Sequence, residues 1–199
     1  TRDPEEARTI AAQLSALNDE RRAIEAEVQE AAEQQIAAQH NRAVHLVAGE
    51  GWHPGVIGIV AGRIKEKTGK PAVVIALDGD TGKGSGRSIS GVDLGAAIIR
   101  ARGEGLLVAG GGHAMAAGLT VDADKVDRLA DWLDHTLEGH VARASATRDM
   151  ALDIAVAPGG LTSELVNSLE EAGPYGVGWP GPRVAVGPVR LVKCDIVGT

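Results

Sequence analysis

The spacing of hydrophobic and polar residues changes near residue 43. Before it, apolar residues recur every three or four positions, which predicts one narrow buried stripe along a helix. Asp3, followed by Pro4 and two glutamates, is a helix-start signal, and neither Gly nor Pro occurs again until Gly49. We therefore predict a helix of about 37 residues, roughly 55 Å long. It is either half of a coiled coil or a connector from a preceding domain. Its apolar positions are Ile10, Leu14, Leu17, Ile24, Val28 and Ala31.

After residue 43, short apolar runs alternate with helical patterns. Such alternation is typical of an α/β domain with a largely buried sheet flanked by helices. The predicted strands are AVHLVAG, PAVVIAL, the glycine-rich GKGSGRSI, LLVAG and GLTV. The predicted helices are GVIGIVAGRIKEKTG, VDLGAAIIRAR with Asp93 near its start, and a segment from about 123 to 142 with Val126, Leu129, Leu133, Leu137 and Val141 on its apolar face.

A second unit is predicted after the small, polar segment 143–149, which is typical of a linker. It contains the strand MALDIAV, a helix near LTSELVNSLEEAG, the loop GPYGVGWPGP and the strands of RVAVGPVRLVKCDIVGT. About 50 residues are few for an independent hydrophobic core. We expect this unit, residues 150–199, to be cut short or to lean on the first.

Composition and charge narrow the function. The single cysteine, Cys194, excludes an intramolecular disulfide, so we expect a cytoplasmic protein. No apolar run reaches the roughly 18 residues of a membrane span, and we expect no membrane association. The net charge of −7 argues against a general nucleic-acid binder. Residues 43–121, however, carry a net charge of +2, whereas the blocks before and after them carry −4 and −5. An anionic ligand would therefore bind in this middle block.

The first candidate motif is GEGWHPGVIGIVAGR, residues 49–63. Trp52 and His53 precede Pro54 and the start of a predicted helix, where free backbone N–H groups favour an anion. Gly58 and Gly62 are explained by close packing of that helix on the sheet. For His53, the sequence is compatible with either a structural or a binding role.

The second motif, GKGSGRSIS at residues 82–90, holds Ser85, Arg87 and Ser88 between glycines. Backbone N–H groups, hydroxyls and a guanidinium are the groups that bind phosphate. A dinucleotide fingerprint is excluded, because the glycines do not lead directly into a helix. The alternative is a flexible hairpin arm.

The third motif, LLVAGGGHAMAAGLTV, places His113 after Gly110, Gly111 and Gly112, in an expected strand-to-helix connection. Its small neighbours would let a ligand approach closely. The sequence shows no cluster with metal-ligand spacing and no plausible Ser/His/Asp set. The acids and histidines of the 123–142 helix lie mostly opposite its apolar stripe, which favours a solvated face.

These three motifs, in this order and at these separations, resemble the RecJ family of single-stranded-DNA-specific 5′→3′ exonucleases, within the DHH phosphoesterase superfamily. The resemblance implies that residues 1–42 are a connector helix and residues 43–142 the DHH-associated, substrate-binding domain. It further implies that residues 150–199, after the 143–149 linker, begin an oligonucleotide-binding barrel.

The resemblance also implies a division of labour. A DHH domain that precedes this chain would bind two Mn²⁺ or Mg²⁺ ions and hydrolyse the phosphodiester, and this chain itself would bind no metal and be inactive alone. Ser85 and Arg87 would grip a phosphate, with the remaining candidates beside them: Ser88, Gly111, Gly112, His113 and His53. His113 would donate a hydrogen bond to a phosphate oxygen or stabilise developing charge.

The expected partners are single-stranded DNA with a 5′ end, the DHH domain and a single-stranded-DNA-binding protein, in DNA repair and recombination. Two alternatives stay open. One is an oligoribonucleotide or cyclic-dinucleotide phosphodiesterase of the same superfamily. The other is a non-catalytic interaction module in which the glycines only pack a sheet.

Overall fold

The computed structural model describes residues 3–39, 41–146, 150–190 and 192–193. The chain forms two compact units, Thr1–Thr147 and Arg148–Thr199. Within the described residues, no helix is both long enough and apolar enough to cross a bilayer. Cys194 and part of the predicted linker lie outside the described residues.

The first unit contains four α-helices and a five-stranded sheet among its described residues. In chain order the elements are α1 (Pro4–Ala38), β1 (His45–Glu50), α2 (Ile57–Thr68), β2 (Ala72–Asp78), β3 (Thr81–Arg87), α3 (Leu94–Gly103), β4 (Ala109–His113), β5 (Ala116–Asp122) and α4 (Val126–Ala146). The expected linker starts later than predicted, because α4 continues through residues 143–146.

The sheet has the strand order β1-β2-β3-β5-β4. β1 and β2 are parallel and joined by α2, whereas every other neighbouring pair is antiparallel. One face packs against α3 and α4 through residues such as Ile75, Leu119 and Leu133, and we call it the α3–α4 face. The other packs against α1 and α2 through residues such as Val74 and Val60, and we call it the α1–α2 face. The predicted mixed α/β domain is confirmed.

Helix α1 is 35 residues long, which confirms the predicted long helix, but only its second half is packed. Val28 and Ala32 are buried, whereas Leu14 and Leu17 are 61% and 55% exposed. Of the predicted stripe only Val28 is buried, where α2 and β1 lie beside the helix, and Ala32 is buried in place of the predicted Ala31. Around the buried Glu25, Arg21 donates to one carboxylate oxygen at 2.6 Å and Arg63 contacts the other.

Side chains of α1 also cover the free edge of β1. The Gln35 amide donates to the Ala48 carbonyl at 2.8 Å and accepts from the Ala48 N–H at 3.2 Å. Gln39 donates to the Leu46 carbonyl at 2.6 Å. These amides replace a neighbouring strand, so they satisfy backbone groups that an edge strand leaves unpaired.

β3 is a central strand, although every second residue from Gly82 to Gly86 is glycine. A Cβ on Gly84 would lie 2.7 Å from Leu119 Cδ1, and one on Gly86 would lie 2.6 Å from Leu94 Cδ2. These glycines make room for large core side chains on the α3–α4 face. The alternative of a flexible hairpin arm is therefore wrong, because both neighbours of β3 hold it within the sheet.

The second unit is small. It contains β6 (Ile154–Val156), α5 (Ser163–Glu171) and β7 (Val184–Val186), and β6 pairs with β7 in parallel. None of its residues within 150–190 and 192–193 is buried. The expected helix is present, whereas the start of an oligonucleotide-binding barrel stays a prediction.

Candidate nucleic-acid interface

The side chains of β3 that alternate with the glycines all lie on the α1–α2 face. They are Thr81, Lys83, Ser85 and Arg87. Register across the sheet extends this row, because residues paired across strands share a face. Ser85 pairs with Gly118 and Gly118 with Gly111, while Arg87 pairs with Ala116 and Ala116 with His113. Arg87 and His113 therefore lie on one face, two strand spacings or about 10 Å apart at the Cα atoms.

The first turn of α2 lies against Ser85 and Arg87. A Cβ on Gly58 would lie 3.1 Å from both Arg87 Nη2 and Ser85 Oγ. Only a residue without a side chain fits at this position. Gly58 therefore has the predicted packing role, and the groups that it packs against are the polar side chains of Ser85 and Arg87. Within the described part of the chain, the N–H groups of Ile57 and Gly58 have no hydrogen-bond partner. Such helix N-terminal N–H groups favour an anion.

The positive charge of Arg87 is not neutralised nearby. Its Nη1 donates to Ser85 Oγ at 3.1 Å and to the Gly86 carbonyl at 3.0 Å. No described carboxylate forms an ion pair with Arg87 or with the exposed Lys83, in contrast to Arg21, Arg63 and Arg100. The Arg87 guanidinium is held in place by neutral acceptors, so it remains available to an anionic ligand.

Beyond Arg87, the α1–α2 face of β5 and β4 is open. A Cβ on Gly111 or Gly118 would meet nothing within 4 Å. His113 ends β4 and is exposed, and among the described residues its ring forms no hydrogen bond or ion pair. We call this surface of Gly111, Gly118 and His113 the open glycine floor. It begins where the cover by α2 ends.

The connection after His113 differs from the prediction. The chain turns through Ala114 and Met115 directly into β5, so His113 lies at a β-hairpin and the predicted strand-to-helix connection is wrong. The small residues that follow form the next strand. Their small size has two explanations. On the α1–α2 face, β5 contributes Gly118 to the open glycine floor, and on the α3–α4 face it contacts the core through Ala117.

Two predicted site residues point away from this surface. Ser88 is 1% exposed, and its hydroxyl donates to the Val92 carbonyl at 2.7 Å. Gly112 pairs with Ala117 on the α3–α4 face, where a Cβ would lie 2.4 Å from the Ala116 carbonyl oxygen. Both positions are explained by the turn and the hairpin that they stabilise.

His53 lies in the loop between β1 and α2. Its Nδ1 accepts from the Gly55 N–H at 3.0 Å and its ring is exposed. With Trp52 and Lys83 it lines a cavity of about 500 Å³ at the end of the sheet where β1 and β2 finish. Neither Trp52 nor Lys83 was assigned a role from the sequence, although Lys83 has the same two-residue phase as Ser85 and Arg87.

No group of three or more His, Cys, Asp or Glu side chains that could hold a metal ion occurs within residues 3–39, 41–146, 150–190 and 192–193. The described residues therefore do not fit a Mn²⁺ or Mg²⁺ centre.

Residues 39–139 match the DHHA1 domain family. The chain is 36% identical over 211 residues to the single-stranded-DNA-specific exonuclease RecJ of Escherichia coli K12 and 40% identical over 210 residues to that of Dickeya dadantii. Each alignment covers 97% of this chain and 35% of the relative, so the chain spans about a third of the length of these proteins.

Solved structures agree with these matches. RecJ of Thermus thermophilus in complex with Mn²⁺ superposes with a TM-score of 0.66 at 31% identity, covering 92% of this chain and 26% of that one. Its complex with Mg²⁺ gives a TM-score of 0.65 at 30% identity, covering 92% of this chain and 28% of that one.

Proposed function

The chain belongs to the DHHA1 domain family, in the form that RecJ exonucleases carry, and from this premise we propose that its first unit binds the 5′ phosphate and backbone of single-stranded DNA. It would do so as part of a 5′→3′ exonuclease that acts in DNA repair and recombination. The cleavage itself would be performed by residues outside this chain.

The observation that carries this proposal is the unneutralised Arg87 beside Ser85 and the first turn of α2. A phosphate in contact with Arg87 Nη2 would also meet the Ser85 hydroxyl, which accepts from Arg87 and can donate its own proton. The N–H groups of Ile57 and Gly58, in the turn of α2 that lies against Ser85 and Arg87, would be two further donors. Charge-assisted hydrogen bonds from several donors favour a terminal phosphate, which has more free oxygens than a bridging one.

The open glycine floor gives the strand a path away from this phosphate. With no side chain above Gly111 and Gly118, a sugar-phosphate backbone can approach the sheet closely. His113, about 10 Å from Arg87, would donate a ring N–H to a phosphate farther along the strand. His53 lies in the loop that leads into α2, whose first turn lies against Arg87, and it would be a further contact for the strand.

Divalent metal chemistry is assigned to other parts of the whole protein. RecJ of Thermus thermophilus has been solved with Mn²⁺ and with Mg²⁺, whereas the described residues of this chain offer no fitting ligand set. When bound, such ions activate water for attack on phosphorus. We propose that a DHH domain supplies their ligands, and that this chain positions the strand for it.

Binding of 5′-phosphorylated and 5′-hydroxyl octathymidylate, measured by fluorescence anisotropy, tests the proposal. We expect the phosphorylated strand to bind at least 10-fold more tightly, and Arg87→Ala to remove this preference. Arg128→Ala, which removes one positive charge from the exposed side of α4, is the matched control and should change affinity by less than about 2-fold. Equal binding of the two strands by the unmodified chain would refute the proposal.

A further inference from the structure

The cavity beside Trp52 shares His53 with the proposed phosphate contacts, but its other lining residues have no role in them. It measures about 500 Å³ and lies over the ends of β1 and β2. Its lining combines an aromatic ring, a cation and two carboxylates, from Trp52, Lys83, Glu50 and Asp78. We propose that this cavity is a nucleoside subsite, in which a base of the bound strand stacks on Trp52. This inference rests on the proposed function, because the same strand would occupy both sites.

The Trp52 side chain is half-buried against the sheet. Its indole lies against the backbone of Gly49, where a Cβ would come within 2.2 Å of Trp52 Cε2. The ring also packs against the core of the α1–α2 face while lining the cavity. Among the described residues, nothing accepts a hydrogen bond from its indole N–H. A half-buried aromatic surface with an unused donor suits a base, since every base has a π-face and polar edges.

Charge decides which part of a nucleotide would occupy the cavity. The acids Glu50 and Asp78 line it together with one lysine, Lys83, and with the imidazole of His53. None of the described ion pairs joins Lys83 to either acid. A phosphate deep in the cavity would therefore be repelled by two carboxylates, whereas an uncharged base and its sugar would find acceptors for their N–H and O–H groups.

The cavity and the phosphate site are joined by β3. Lys83 lines the cavity, and Ser85 and Arg87 follow on the same face at two-residue intervals. Lys83 and Arg87 are four strand residues apart, or about 13 Å, so one short oligonucleotide can reach both sites. A phosphate at Arg87 and a base on Trp52 would place the intervening backbone beside Lys83.

The test compares octathymidylates that carry a 5′ phosphate and are either intact or abasic at nucleotide 1, 2 or 3. Stacking on one aromatic side chain predicts that Trp52→Leu weakens binding of the intact strand by about 10-fold. For one of the three abasic strands, Trp52→Leu should weaken binding by less than about 2-fold, because that strand lacks the base that would stack on Trp52. Trp132→Leu, at a half-buried position of α4 outside the cavity, is the matched control and should leave all four affinities unchanged.

Two further variants separate stacking from damage to the fold. Trp52→Phe keeps an aromatic face and should bind within about 3-fold of the unmodified chain. Lys83→Ala changes an exposed side chain and should lower the slope of log affinity against log salt concentration by about 0.7, the value for one phosphate contact on a single strand. Equal weakening of all four strands by Trp52→Leu, or a loss with Trp52→Phe as large as with Trp52→Leu, would overturn the inference.

The same experiment keeps the two proposals apart. Removal of the 5′ phosphate and Arg87→Ala report on the phosphate site, whereas the abasic strands and Trp52→Leu report on the cavity. If the first pair weakens binding and the second pair does not, the nucleoside subsite is refuted and the proposed function stands. If only the second pair acts, the assignment of the 5′ phosphate to Arg87 is refuted.

Discussion

On the α3–α4 face of β3 and β4, a Cβ added at a glycine would lie within 3 Å of another atom, whereas on the α1–α2 face of β4 and β5 it would meet open space. Gly112 and Gly111 show the contrast at adjacent positions. A Cβ on Gly112 would lie 2.4 Å from the Ala116 carbonyl oxygen, while one on Gly111 would meet nothing within 4 Å. Close contacts therefore require glycine at position 112, whereas no contact requires it at position 111. A side chain added at the two positions should therefore affect different properties of the protein.

The largest expected effect is that of Gly112→Ala. The obstructing atom is backbone, which cannot move aside without disturbing the β4–β5 hairpin, so we expect a loss of about 3 kcal/mol in the free energy of unfolding. Gly111→Ala should change that free energy by less than about 0.5 kcal/mol and weaken binding of 5′-phosphorylated octathymidylate, because the new methyl group rises from the open floor. Urea unfolding and anisotropy measure the two effects. Similar unfolding energies for both variants would contradict the contrast between the faces.

Ser88 and Ser85 extend the comparison to side chains. The Ser88 hydroxyl is buried and satisfies the Val92 carbonyl, so Ser88→Ala should lower the unfolding free energy by about 1.5 kcal/mol. Strand affinity should be unchanged when measured under conditions where the variant is folded. Ser85→Ala should do the reverse, with unchanged stability and a loss in affinity of about 5-fold, since one phosphate donor disappears. A loss of affinity with Ser88→Ala comparable to that with Ser85→Ala would show that Ser88 contacts the ligand.

The smallest effect is expected at His45. This buried residue and the exposed His113 lie at opposite ends of one row of paired residues across the five strands. Burial, reinforced by the nearby Lys70, lowers the pKa of His45 from its ordinary value of 6.5, and Asp134 opposes the shift. The unfolded chain therefore takes up this proton first, so folding stability is complete above pH 6.5 and declines as the pH falls below it. His45→Gln should flatten this part of the stability curve, measured by thermal unfolding between pH 5 and 8. An unchanged slope would assign the decline to other groups.

The sequence was sufficient for much of the architecture because the signals involved are local. The side chains of Asp3 and Asp93 accept hydrogen bonds from the first turns of α1 and α3, and Gly69 ends α2 in a left-handed conformation, as their positions predicted. The apolar spacing predicted the buried face of α4. The three glycine-rich motifs were sufficient for the family, which the matches to RecJ proteins confirm. The predicted binding role of the individual residues stays a prediction.

The sequence alone determined which segments form helices and strands, and which residue types are available for binding phosphate. Only the tertiary structure decided which of those residues share a surface. Ser85 and Ser88 are three positions apart in the same motif, yet one faces α2 and the other is buried in a turn. The hairpin at Ala114 and Met115 sets the register that brings His113 onto the face of Arg87. Alternation along a strand fixes which residues point the same way, but distant helices determine which face is covered and which stays open.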